Sequence, residues 1–222
     1  MHLFVDISSH GFGHLALTAP VLNALRAALP DLRLTLRTAL PAAKLRERIV
    51  GPYTHLPLAT DFGFRMIDAT RVDLPASAAA YQAAHADWPA RVEAEARFLA
   101  DLAPDHVLSN ISYLPLAGAA RAHIPASALC CLNWADLFEH FFGNTPWAAP
   151  IHAEMLAAYT INGARAVRQG EITGSIEAGK SADFIVLDRD LFALVEAGTP
   201  EQIADTRVEQ TVFQGNTIYP AP

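Results

Sequence analysis

The sequence predicts an α/β protein: a Rossmann-like, doubly wound parallel sheet with a small β-rich C-terminal piece. Three observations predict it. From residue 2 to about residue 132, short apolar runs alternate with longer runs of helical period. A glycine-containing loop, SSHGFGH, directly follows the first short run. Beyond about residue 160 the long helical runs give way to strand-like runs and a hairpin signature.

In order, HLFVDI (2–7) reads as a buried strand and LALTAPVLNALRAAL (15–29) as a helix. The helical spacing comes from Leu15, Val21, Leu22, Leu25 and Leu29, and Pro30 ends it. LRLTLRT (32–38) alternates as a strand does, and PAAKLRERI (41–49) suits a helix with proline near its first turn. Residues 52–74 read as irregular, and 75–102 as helix broken near Pro89. DHVLSN (105–110) and ASALCCL (126–132) are strands flanking a helix, LPLAGAARAHI (114–124). In the tail, EITGSIEAGKSADFIVLDRD holds two strand-like runs around an EAGK turn, and RVEQTVFQGNTIYP reads as a hairpin through QGN. The change of texture puts a boundary at 156–162, giving residues 1–159 and 160–222 as the two pieces.

Composition narrows the function. Hydrophobic residues are 52% of the 222, enough for a substantial core, and the net charge of −7 with no Lys/Arg cluster argues against nucleic acid. The N-terminus lacks a basic start and its apolar run is interrupted at Asp6, so no signal peptide is expected. No apolar run approaches the ~20 residues of a membrane span. Cys130 and Cys131 are adjacent, which fits reduced thiols and a cytoplasmic setting.

In a doubly wound sheet, ligands sit at the carboxyl ends of the strands, where SSHGFGHL falls. Gly11 and Gly13 let the backbone approach a ligand closely, and the N-terminus of the following helix favours an anion. An imidazole there can deprotonate a hydroxyl, because its pKa lies near neutrality. The G-x-G spacing lacks the third glycine of a dinucleotide fingerprint. The structural alternative is a turn in which His14 merely caps the next helix.

The stretch DISSHGFGHLALTAPVLNALRA resembles the opening of the N-terminal half of GT-B glycosyltransferases, in the branch whose first loop reads Ser-Gly-His-Gly-Phe-Gly-His. Ser9 stands where that pattern has glycine. HVLSNISYLPLAGAARAHIPASALCCLNWADLF and IHAEMLAAY also look like that family, so the resemblance covers roughly residues 1–159. It implies an acceptor-binding half with a loop histidine as base: His14, with His10 as runner-up. Ser109, Asn110, Asn133 and Trp134 follow later strands and would line the same cleft. The ligand it implies is a sugar acceptor or a nucleotide sugar.

The segment YTINGARAVRQGEITGSIEAGKSADFIVLDRDLF resembles the last part of amidohydrolases, with VEQTVFQGNTIYP as their closing hairpin. In that family the metal ligands come from barrel strands upstream. Here no H-x-H pair occurs, and residues 160–222 contain neither histidine nor cysteine. No metal site and no cofactor are expected, and Glu171, Glu177, Asp183, Asp188 and Asp190 read as turn and surface carboxylates.

The chain therefore reads as an acceptor-binding glycosyltransferase-like domain joined to an amidohydrolase tail. It is expected to be inactive alone, because the nucleotide-sugar half does not follow residue 159. The alternative is a hydrolase acting on C–N bonds, which rests on the tail motif. Apolar surface at the missing half would favour self-association. The run 182–187 has two possible placements: a strand added to the open edge of the first sheet, or part of a small separate β-unit.

Overall fold

A computed structural model describes residues 1–166, 168–199, 202 and 205–220. They form two compact units, Met1–Gly170 and Glu171–Pro222.

The first unit is built on a five-stranded parallel sheet in the order β3-β2-β1-β4-β5. Its strands are β1 (His2–Ile7), β2 (Arg33–Arg37), β3 (Thr54–Leu56), β4 (His106–Asn110) and β5 (Ala126–Ala128). β1 is central and buried along its whole length, as expected where helices cover both faces. β3 is a three-residue edge strand inside the stretch read as irregular.

Helix α1 (Phe12–Ala28) starts earlier than the apolar period suggested, directly after the extended Gly11. It buries Leu15, Thr18, Ala19 and Leu22, a stripe at i, i+3, i+4 and i+7. Val21 and Leu29 lie outside that stripe and are exposed. The short α2 (Ala42–Arg48) follows β2, and Leu45 anchors it. Next come α3 (Leu74–His85) and α4 (Trp88–Leu102), each capped by an aspartate, Asp73 and Asp87, with proline in its first turn. The break falls between His85 and Trp88, so Pro89 opens the second helix rather than kinking one long helix. α5 (Leu114–Arg121), α6 (Trp134–Phe142), α7 (Ala148–Tyr159) and α8 (Ile161–Ala166) complete the unit. An aromatic cluster of Phe64, Tyr81, Trp134, Phe138 and Phe142 forms the core under α6 and α7.

One buried polar assembly interrupts this apolar interior. Arg37, at the end of β2, is 4% exposed. Its Nε donates to Asp6 Oδ2 at 2.6 Å, and its two terminal nitrogens reach Glu95 at 3.0 and 2.5 Å. The rings of Phe4 and Phe98 lie 4.9 and 5.0 Å from the guanidinium carbon. Gly118 lets α5 approach this assembly: a Cβ there would sit 2.3 Å from Glu95 Cγ.

The second unit is a three-stranded antiparallel sheet in the order β6-β7-β8, with β6 (Phe184–Leu187), β7 (Val208–Phe213) and β8 (Asn216–Tyr219). A short helix, α9 (Leu191–Glu196), lies between the first two strands. β7 and β8 are the hairpin read from the sequence, with Gln214 and Gly215 both at positive φ in its turn. The first strand-like run of the tail is not a strand: residues 171–183 form turns and coil. β6 pairs antiparallel with β7, and the five-stranded sheet contains no strand beyond residue 132. That excludes the placement of 182–187 on the open edge of the first sheet; pairing with β7 satisfies its backbone instead.

Replacing Arg37 with Met leaves two buried carboxylates without their counter-ion. The expected loss is about 3–5 kcal/mol of stability, measured by urea unfolding. A loss below about 1 kcal/mol would show that solvent reaches both carboxylates.

Candidate functional site

The crossovers diverge at β1 and β4: β2 and β3 extend to one side, β5 to the other. Ligand crevices of doubly wound sheets open at such a switch point, beyond the carboxyl ends of the strands. The loop after β1 and the loop after β4 meet there, with Ser8 N donating to Asn110 O at 3.1 Å.

His14 lies in the first turn of α1. Gly11 occupies the capping position and contributes no side-chain hydrogen bond. The imidazole does not cap the helix; its Nδ1 lies 2.9 Å from Asn110 Oδ1. The surrounding bonds fix which groups donate. Thr18 Oγ1 gives its only proton to the His14 carbonyl at 2.7 Å, so it accepts from Asn110 Nδ2 at 2.8 Å. That orients the amide with its oxygen toward the ring, and Nδ1 must carry the proton. The neutral ring then offers Nε2 as a free lone pair, the form a general base requires. Burial lowers the pKa of His14 and His10 lowers it further, against an opposing contribution from the Asn110 hydrogen bond.

His14 and Asn110 line a cleft of about 300 Å³ together with Gly11 and Gly13. Leu17, Ile111 and Leu132 supply apolar walls, and Cys130 and Cys131 stand at the same opening as free thiols. A Cβ on Gly11 or Gly13 would meet nothing within 4 Å. Packing does not demand these glycines; their bare backbone faces open space that a ligand can approach.

The remaining predicted residues sit differently. His10 Nε2 lies 3.2 Å from the Phe64 carbonyl and therefore donates to it, so that nitrogen is not a free base. Its ring packs edge-on against Trp134 at 5.2 Å, and His14 lies 6.0 Å from the same indole. Ser109 is fully buried and its hydroxyl donates to Ser112 O at 2.5 Å, within its own turn. Asn133 caps α6, accepting from Asp136 N at 2.9 Å and donating to Asp136 Oδ2 at 2.7 Å. Gly11, Gly13, His14 and Asn110 thus share one cleft, His10 and Trp134 form its neighbouring wall, and Ser109 and Asn133 shape the loops behind it.

Three contributors were missed from the sequence. Thr18 orients Asn110, and its place four residues after His14 was a readable helical signal. Asp61 bonds the Trp134 indole, Nε1 to Oδ2 at 2.6 Å, from a stretch without periodicity. Tyr159 donates its hydroxyl to the carbonyl of Ile111. Ile111 holds φ at 75°, a strained conformation for a buried β-branched residue, at the turn that aims Asn110 under the ring.

In the second unit, carboxylates hold turns. Asp183 accepts from Gln214 N at 2.6 Å, Asp188 from Arg207 N at 3.0 Å and Asp190 from Ala193 N at 3.1 Å. Among the described residues no group of three or more His, Cys, Asp or Glu side chains is arranged to hold a metal ion. No helix of the described residues is long and apolar enough to cross a membrane.

Residues 152–219 match the amidohydrolase family. Imidazolonepropionase of Bacteroides fragilis is 37% identical over 68 residues, which is 31% of this chain and 15% of that enzyme. The imidazolonepropionase of Syntrophobacter fumaroxidans is 60% identical over 35 residues, 16% of this chain and 8% of that enzyme. The chain therefore spans only a small part of the curated relatives it matches. Among solved structures, the calicheamicin glycosyltransferase superposes with a TM-score of 0.45 at 18% identity, covering 71% of this chain and 42% of that one.

The His14–Asn110 pair makes a direct prediction. Followed by NMR, the wild-type imidazole should titrate below the ordinary value of about 6.5. Asn110→Asp should raise that midpoint by about one pH unit or more, by placing a carboxylate at Nδ1. An unmoved midpoint would mean that the two side chains are not bonded in solution.

Proposed function

We propose that residues 1–159 are an acceptor-binding unit of glycosyltransferase type, and that a joint at 156–162 attaches them to an amidohydrolase-derived tail. One observation carries this reading: a neutral imidazole with a free Nε2, in an apolar cleft at the switch point of a parallel sheet. The motif SSHGFGH in the loop that builds the cleft supports it. So does the poverty of polar groups there, which suits a ligand that is mostly apolar and presents one hydroxyl to His14.

On this reading the chain alone does not transfer sugar. Transfer requires donor and acceptor held together, and the second unit is an antiparallel sheet rather than another parallel one. A donor site must come from another polypeptide or segment. The free thiols of Cys130 and Cys131 suit a reducing, cytoplasmic setting.

The match over 152–219 favours a second reading, C–N bond hydrolysis. It requires metal ligands that residues 160–222 do not supply, since imidazole and thiolate are both missing from that stretch.

Calorimetric titration against nucleotide sugars and against glycolipid acceptors tests the proposal. Acceptors should bind and His14→Ala should weaken them roughly three- to tenfold, the loss of one hydrogen bond. Sugar transfer or donor hydrolysis should be undetectable. Turnover by the isolated chain would overturn the non-catalytic reading, and zinc-dependent amide cleavage would favour the second one.

A further inference from the structure

Cys130 and Cys131 lie in the connection from β5 to α6, and the site described above gives them no role. Both are exposed and free. In an extended chain, successive side chains point to opposite sides. Here the chain bends at Cys131 and Leu132, and both cysteines line the same cleft of about 300 Å³. The residues flanking the bend are held: Leu129 N donates to Ser109 O at 2.9 Å, and Trp134 N to the Tyr159 hydroxyl at 3.4 Å. Two thiols therefore stand at one opening whose walls, Leu17, Ile111 and Leu132, are apolar.

Three constraints decide what such a pair can hold. The peptide between the two is trans. Consecutive Cα atoms then lie about 3.8 Å apart, short of the roughly 4.4–6.8 Å that a disulfide spans, so the pair is poorly placed to bridge itself. Among the described residues no lysine or arginine lines the cleft, so no fixed cation holds a thiolate ready as a nucleophile. Among the same residues no group of three or more His, Cys, Asp or Glu side chains is arranged for a metal ion, so a soft metal that takes three or four protein ligands is not served. What fits is one thiophilic atom that needs two sulfurs and brings its own third substituent. A trivalent organoarsenical is that kind of ligand. Bridging through arsenic enlarges the strained ring by one atom, and the organic group meets the apolar walls.

We propose that Cys130 and Cys131 form a two-point covalent site for a trivalent organoarsenical, whose organic group fills the apolar cleft in front of His14. Each thiol gives its proton to the oxygen of the arsenical oxide, and that oxygen leaves as water. Two S–H bonds and the arsenic–oxygen bond break, and two As–S bonds form. Arsenic stays trivalent, and no oxidant or reductant takes part. The site rests on the two thiols and the cleft walls. It does not require His14 to act as a base, and it stands whether or not the cleft binds a sugar acceptor.

The test uses phenylarsine oxide on the full chain, in which these are the only cysteines. One arsenical per chain should abolish both free thiols. The adduct should survive excess 2-mercaptoethanol and be released by 2,3-dimercaptopropanol. Cys130→Ser and Cys131→Ser should each lose the arsenical to the monothiol about a hundredfold faster, because no second sulfur recaptures it. Adduct formation should also shift the imidazole resonance of His14, assigned with His14→Gln. Two arsenicals per chain, one thiol left free, or ready loss to the monothiol overturns the proposal. So does an adduct that leaves the His14 resonance unmoved, since the organic group then lies outside the cleft.

Discussion

Arg37 is buried between two carboxylates, and the carboxyl end of the sheet is organised around that fact. A guanidinium inside a parallel sheet must be paired and hydrogen-bonded in full. Asp6 comes from the central strand, Glu95 from α4, and Gly118 lets α5 close over them. The assembly ties strand, helix and the segment after β3, because Asp6 also receives Thr60. Its charge does not balance: two carboxylates face one guanidinium. The surplus negative charge sits just below the switch point, where it opposes ionisation of Asp61.

Much of the framework was legible because its elements are buried in long uninterrupted stripes. HLFVDI read as a buried strand from its apolar, β-branched run despite Asp6, and its central place came only with the strand order. β3 escaped because three residues at a sheet edge show no period. The tail's first apolar run escaped for the opposite reason: isolated apolar residues in turns imitate a strand. The site was only half legible. The glycines and His14 lie in one loop, so spacing could place them together. Asn110 is 96 positions from His14, and only the pairing of β1 with β4 joins the two. Asp61 carried no signal in its neighbours.

Sequence similarity and compactness divide the chain at different places. The amidohydrolase match begins at residue 152, whereas the first compact unit runs to Gly170. Most of α7 and all of α8 therefore resemble one family while packing in the core of the other unit. Met155, Ala158, Ala164 and Ala166 are buried there, and α8 lies against α5 and α7. Cores select for volume and pattern more than for origin, and small residues at helical spacing meet that demand. Tyr159 goes further: its hydroxyl holds the strained carbonyl of Ile111, beside Asn110.

On the proposed reading, the electrostatics of the cleft bear on which half of a transfer reaction it would serve. Among the described residues no lysine or arginine lines it, and the charge beneath the neighbouring residues 60–64 is negative. A nucleotide diphosphate would find no basic side chain there, only the N-terminus of α1, so the cleft suits the neutral partner better. The same neutrality limits His14. An imidazole that takes a proton becomes a cation, and Asn110 answers it with a dipole where a carboxylate would supply a full charge. Without that charge the ring is a weak base whose contribution is chiefly position, and position matters only when a second group is held opposite it.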